Sequence, residues 1–420
     1  MIRKFLNDID WLNTNTNQSL SIFLALLLSL TTLITGGCVS STRFSNAKSA
    51  QKTNYSTLDL HEIATFDVYV DSDVIHLITG GKASATDKQP KLNYTRSQDG
   101  GISWQKPIML GHDTTSINSR GNDVQIAAKG NHLLVIWQSK GELPGMGPIT
   151  SAYSEDNGLS WLKGANPAIN NDGDQSHFDL IADQNGHFHA VWLEDPEENG
   201  YQSLRYARSE NGGKQWNKAS TLDNSTCSCC WNTFAISPEN ELNILYRDMK
   251  PRDMLLLQSS NAGNNWRPVN TVGKFNWQFD GCPHVGGSLA YSGTGTPQHL
   301  HSLIWTGAAG VSGLYHLNSN DNGKNWSQPK KLGNSAIHGD LAVSNETLYA
   351  VWDEMEAEGT SIFYATSGNK GALWTTSERL TTPDKLATHP RLVATSYGVL
   401  ALWTEKPSKQ PSHLAWRILK

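Results

Sequence analysis

The chain has 420 residues, 17% of them charged and 38% hydrophobic, with 15 tryptophans and a formal net charge of -5. Ample apolar content with near-average Gly 36 and Pro 16 excludes collagen, coiled coil and disorder. The acidic balance, with no Lys/Arg run of five or more, excludes a nucleic-acid binder, which needs a basic stripe. The tryptophan excess calls for an explanation other than a bulk apolar core.

Residues 20–37 read LSIFLALLLSLTTLITGG, preceded by Arg3 and Lys4 and followed by Cys38. A basic start, an apolar run and small residues before a cut are the layout of a secretory signal. The TGGC at 35–38 resembles a bacterial lipoprotein cleavage box, which implies that Cys38 is lipidated as the first mature residue. Thr35 and the acidic Asp8 and Asp10 depart from that pattern. The alternative is an uncleaved anchor, since the run is just long enough to span a bilayer. Both readings export the remainder and tether it to a membrane, in the periplasm or at the cell surface. Val39 after Cys38 is similar to lipoproteins delivered to an outer membrane. Residues 38–60, rich in Ser, Thr, Asn and Lys, read as a flexible tether.

From residue 61 onward one pattern organises the chain: SQDGGISW (97–104), SEDNGLSW (154–161), SENGGKQW (209–216), SSNAGNNW (259–266), SNDNGKNW (319–326) and SGNKGALW (367–374). The shared form is Ser-x-Asp/Asn-x-Gly-x-x-Trp. Its Asp or Asn accepts backbone N–H bonds within a tight turn. The Gly permits positive φ, and the Trp supplies an apolar plate to pack beneath the turn. Alternating runs precede each copy, as in LRYARS (204–209), and earlier still lie runs ending in Trp, as in HFHAVW (187–192). Period-two strands separated by Asn/Gly turns predict an all-β array.

These six copies resemble the Asp-box repeat of the sialidase-like β-propellers, which implies four-stranded blades over residues 61–420. In that family the box turn is remote from the substrate, which implies a structural role for its carboxylates. First strands are predicted near residues 63, 123, 178, 232, 285, 339 and 391, giving seven blades; six, the sialidase number, is the alternative. The last unit stops after its third strand, LAWRILK, so residues 52–60 are expected to supply its outer strand.

In a propeller, residues entering the innermost strands face one another around a central channel. Read in order, these are Arg120 and Asn122, His177 and Asp179, Cys230 and Asn232, Cys282 and His284, His338 and Asp340, and His389 and Arg391. Residues two apart on a strand share a face, so each pair is expected to project into the channel as ligand-binding groups. CSCCW at 227–231 and GCPHVGG at 281–287 hold every cysteine except Cys38. Two readings stay open. One is a pair of disulfides, for instance Cys227–Cys230 with Cys229–Cys282. The other is a thiolate–imidazole site of Cys227, Cys229, Cys230, Cys282 and His284 for copper or zinc. Trp231 and Trp277 flank the cluster as candidate walls. The nearby YRDMKPRDM (246–254) offers Arg247 and Arg252 as anion clamps, held by Asp248 and Asp253, with Arg391 as a third arginine.

The fold resemblance implies an exo-sialidase, with a Tyr nucleophile activated by Glu and an Asp acid/base. The opening Arg-Ile-Pro segment of that family is absent, and Tyr397, Glu194 and Glu354 have no assigned partners. The expectation is therefore a tethered propeller binding a small-molecule, glycan or protein ligand, or a metal, in its Cys/His/Arg-lined channel. A rearranged glycoside hydrolase and a protein-interaction scaffold are the alternatives.

Overall fold

A computed structural model describes residues 52–111, 124–140, 147–169, 174–195, 202–293 and 298–420. Residues 1–37, Cys38, Arg120 and Asn122 lie outside the described residues.

Seven four-stranded antiparallel sheets follow one another along the chain as blades one to seven. Their innermost strands are Glu62–Asp71, Gln125–Lys129, Gln175–Ala182, Thr233–Ile236, Gly287–Ser292, Ala336–Ser344 and Lys385–Thr395. The seven-blade reading is thus the one found. Blade seven takes its outer strand from Asn54–Ser56, which pairs with His413–Leu419, so residues assigned to the tether belong in part to the ring.

The second strand of each blade is the most apolar and lies inside its sheet, as in Phe188–Glu194, where every residue is buried. Packing between sheets generates seven apolar clusters, one at each junction of neighbouring blades. Trp192, Trp352 and Trp403 sit in these clusters. Each satisfies its indole N–H on a carboxylate two residues later, Glu194, Glu354 and Glu405, at 3.0, 2.9 and 3.1 Å. Burying an indole without that partner would be unfavourable. Glu194 and Glu354 therefore have structural partners.

The box turns form as the sequence predicts. In the second blade, Gly158 N–H donates to Ser154 Oγ and Ser160 N–H to Asp156 Oδ1, both at 2.9 Å. The Ser160 hydroxyl, the Ser160 N–H and the Ser154 hydroxyl, all donating to it, hold the Asp156 carboxyl below its ordinary range. The closing Trp also reaches the neighbouring blade. Trp161 meets Tyr94 of the preceding blade edge-on at 5.2 Å, and Trp266 meets Tyr206 of its preceding blade at 5.0 Å. The turn overhangs the neighbouring sheet, so the box clamps adjacent blades together.

Candidate functional site

One polar layer crosses the channel. Asp67, Gln125, Asp179, Thr233, Ser288, Asp340 and Arg391 occupy the same place in the seven innermost strands. Each is paired with a fully buried aliphatic residue of the second strand: Ile78, Ile136, Val191, Leu245, Leu303, Val351 and Leu402. Three carboxylates of the layer also fasten the next blade. Asp67 accepts Ile126 N–H, Asp179 accepts Phe234 N–H and Asp340 accepts Leu392 N–H.

Arg391 is the one cation of this layer, bonded to Asp67 at 3.1 Å and 40% exposed toward the channel. Burial opposes its charge, yet Asp67, Asp340 and Asp179 raise its pKa. Burial raises the Asp67 carboxyl, and burial with the Asp67 charge pushes Asp179 up to about 7. Gln125, with its amide nitrogen facing both, donates to Asp179 at 3.1 Å and Asp67 at 3.2 Å.

The unfolded-state pKa of Asp179 is about 3.9, so its protonation stabilises the fold at low pH and that contribution is lost as pH rises through 7. Asp179→Asn keeps an acceptor for Phe234 and removes the titration. Wild type is expected to lose roughly 2–3 kcal/mol relative to this variant between pH 5 and pH 8, read from urea midpoints. A pH-independent difference would contradict the assignment. Buried His76, His177, His189, His301 and His316, all lowered by desolvation, pull the other way but cancel in the comparison.

Above the layer is a cavity of about 100 Å³ lined by Phe66, Gln125, Asp179, Trp231, Asp340 and Arg391, among others. His338 and His389 also line it, their rings stacked at 3.9 Å and both meeting Trp231 edge-on. Buried Asp353 accepts His338 Nδ1–H at 2.8 Å and His389 N–H at 3.0 Å. Burial works against the Asp353 charge, but these imidazoles bring its pKa below the ordinary range. Asn232 donates to His177 O at 2.8 Å.

Pairing residues two apart holds less simply. Blades three, six and seven carry register shifts at Ser176/Asp179, Ala336/Gly339 and Thr388/Arg391. His177 and His389 fall within these irregularities with φ of 51° and 53°, and His284, ahead of its strand, has φ of 52°. His177 is consequently buried against Trp231 at 5.7 Å rather than lining the cavity beside Asp179. His284, four residues before Ser288, lies above the polar layer, 6.4 Å from His177.

The cysteines converge beside this mouth. Cys227 and Cys230 form a disulfide, while buried Cys229 and exposed Cys282 remain thiols, so the expected second disulfide is not formed. Ligand atoms of Cys229, Cys282 and His284 all lie within 4.8 Å of one another. Burial, with the Cys282 hydrogen bond, pushes the Cys229 thiol up to about 12.

The arginines assigned to an anion clamp are committed elsewhere. Buried Arg247 donates to Arg252 O, Trp305 O and Val285 O at 2.7, 2.8 and 3.4 Å and lies over Trp277. Arg252 donates to Phe279 O and to Cys227 Sγ, at 2.6 and 3.1 Å. Asp253 accepts Asn276 N–H and Trp277 N–H, and Asp248 accepts Met249 N–H. Trp277 stacks on Phe279 and is buried away from the cavity. This loop braces the cysteine segment, and Arg247, Arg252 and Arg391 do not assemble around one point.

Fold and site together define a seven-bladed propeller with a polar funnel and a sulfur–imidazole corner. The chain belongs to the BNR repeat-like domain family, which matches residues 59–280, more than half its length. Among solved structures it is similar to a polysaccharide lyase of family PL25, an ulvan lyase bound to -[GlcA(1-4)Rha3S]-. That likeness has a TM-score of 0.58 and 10% identity over 86% of this chain and 95% of that one. It is also similar to Trypanosoma rangeli sialidase, with a TM-score of 0.49 and 14% identity over 76% of this chain. The chain spans 60% of the length of that sialidase. A Dyadobacter fermentans DSM 18053 protein of unknown function matches at 0.46 and 13%, over 86% of this chain and 95% of that one. At these identities the likeness is one of fold. No curated protein matches in sequence.

Proposed function

We propose that this protein is an extracytoplasmic propeller, tethered to a membrane through lipidated Cys38, that holds a thiophilic metal ion at its channel mouth. The ion is copper(I) or zinc, and its ligands are Cys229, Cys282 and His284. The observation that carries this reading is the convergence of two sulfurs and one imidazole within 4.8 Å. Two thiolates with one imidazole suit soft or borderline ions. A thiol held protonated by burial becomes a ligand once a cation replaces its proton, which is the circumstance of Cys229.

Electrostatics ranks this above a sialidase-type hydrolase. Recognition of an acidic sugar would fall, among the described residues of the funnel, to Arg391, which is already bonded to Asp67 at 3.1 Å. Carboxylate recognition by three arginines has no support when Arg247 and Arg252 are bonded to backbone carbonyls.

Protein prepared without oxidation should carry stoichiometric copper or zinc by elemental analysis, and Cys282→Ser should lower the content by about one ion per chain. Absence of stoichiometric metal, with no effect of Cys282→Ser, would sink the reading. Release of sialic acid from a fluorogenic sialoside would favour the hydrolase instead.

A further inference from the structure

The third blade contains a second constellation of ligand-type side chains, at the end of its innermost strand remote from His177. The turn joining Gln175–Ala182 to Phe188–Glu194 reads Asp183-Gln-Asn-Gly-His187, and His189 follows two residues on. Asp183 Oδ1 accepts Asn185 N–H and His187 N–H at 2.9 and 2.8 Å, which fixes the carboxylate and aims Oδ2 inward. His187 Nδ1 lies 3.2 Å and His189 Nε2 3.4 Å from Oδ2. All three ligand atoms fall within 4.8 Å of one another. Two ligands at about 2.1 Å from one ion, at a tetrahedral angle, stand about 3.4 Å apart. The observed separations therefore have the bite of a metal site. His189 Nε2 is buried and makes no hydrogen bond of normal geometry.

Comparison among blades singles this turn out. In the first blade, His76 has a tyrosine partner, Tyr94, as His189 has Tyr206. Its turn carboxylate, Asp71, instead faces Lys129 and Gly130 N–H of the second blade. In the fifth blade, His301 has both ring nitrogens bonded, to His316 and Ser292. Of these three, only the third blade directs an aspartate and a second histidine at the free edge of the buried imidazole. A ligating histidine is normally oriented by a bond from its other nitrogen, and Tyr206 OH lies 2.7 Å from His189 Nδ1. His187, 27% exposed in its side chain, opens the cluster to solvent.

We infer that Asp183, His187 and His189 form a binding site for a divalent borderline transition ion such as zinc, with the fourth position left to water. This site is separate from the cysteine corner and does not rest on the reading of that corner. Cobalt(II) tests it, because cobalt held by thiolates gives a near-ultraviolet charge-transfer band, whereas a His₂Asp site gives none. Titration of the full chain should register two cobalt ions, one of them with the band. His187→Ala should lose one equivalent with the band intact, and Cys282→Ser should lose the band and keep the other equivalent. An unchanged metal-free Tm shows that His187→Ala is folded. Asp183→Asn, which retains the Oδ1 acceptor of the turn, serves as the second variant. The inference is overturned if neither variant lowers the stoichiometry, or if all bound cobalt follows the band. Loss of an equivalent in His187→Ala without any band would uphold this site and sink the cysteine reading alone.

Discussion

Arg247→Ala should destabilise the protein by about 4–6 kcal/mol and empty the cysteine corner of metal. The guanidinium is buried, and burial has already lowered its pKa to about 9, so its hydrogen bonds are made in a low-dielectric setting. Truncation leaves the carbonyls of Arg252, Trp305 and Val285 without their donor and removes the cation from the face of Trp277. Each buried carbonyl left unpaired costs about 1–3 kcal/mol. Val285 adjoins His284, and Arg252 contacts Cys227 Sγ, so the loss propagates to the proposed ligands. Arg247→Met, which fills the volume without donors, separates packing from carbonyl satisfaction and should recover only part of the loss. Urea midpoints at unchanged slope measure both. A loss below about 1 kcal/mol in the alanine variant would mean that the brace is dispensable.

Gly158→Ala should cost about 3 kcal/mol through two additive causes. Its φ is +80°, where a Cβ costs about 1–2 kcal/mol, and that Cβ would stand 2.2 Å from Tyr94 Cε1. Tyr94 has little room to retreat, since its hydroxyl is paired with His76 and its ring abuts Trp161. Overpacking of this kind adds about 1–3 kcal/mol. Gly130 is the control: its φ is +59° with nothing within 4 Å of a new Cβ, so Gly130→Ala should lose only the backbone share. Equal losses in thermal or urea unfolding would show that the clamp between blades contributes nothing.

The repeat made the ring legible, because a turn rebuilt in six of the seven blades leaves its Ser, Gly and Trp at fixed offsets. It also located the closing strand, since a last unit ending in LAWRILK is one strand short. Inside the channel, the sequence reading named Asp179, Asp340 and Arg391, which the structure places in the polar layer, but not Asp67 or Gln125 of the same layer. It missed Thr233 and Ser288, small hydroxyls that carry no chemical signature, and placed Asn232 and His284 in their stead. A better signal was present: counting 12 or 13 residues back from Trp137, Trp192, Trp352 and Trp403 reaches Gln125, Asp179, Asp340 and Arg391. Bulges at the strand entrances defeated the alternation rule for His177, because one extra residue turns a side chain out of register. Arg247 could not have been read correctly, since an arginine committed to carbonyls far along the chain resembles a free clamp until the chain is folded. Asp353, hidden beside Trp352, was missed for the same reason.

The seventh blade joins Asn54–Ser56 to strands drawn from residues 385–419, which sets the timetable of folding. Six blades can assemble as the chain emerges, but the ring stays a broken arc until its final strand has been synthesised. During that interval Ile63 and Phe66 on one side and Leu400 and Leu402 on the other, partners in the finished molecule, face water. Contacts spanning nearly the whole chain are the slowest to form, and unpaired sheet edges are the surfaces on which chains aggregate. Trimming the residues ahead of the first blade would therefore harm biogenesis more than it harms any site in the channel.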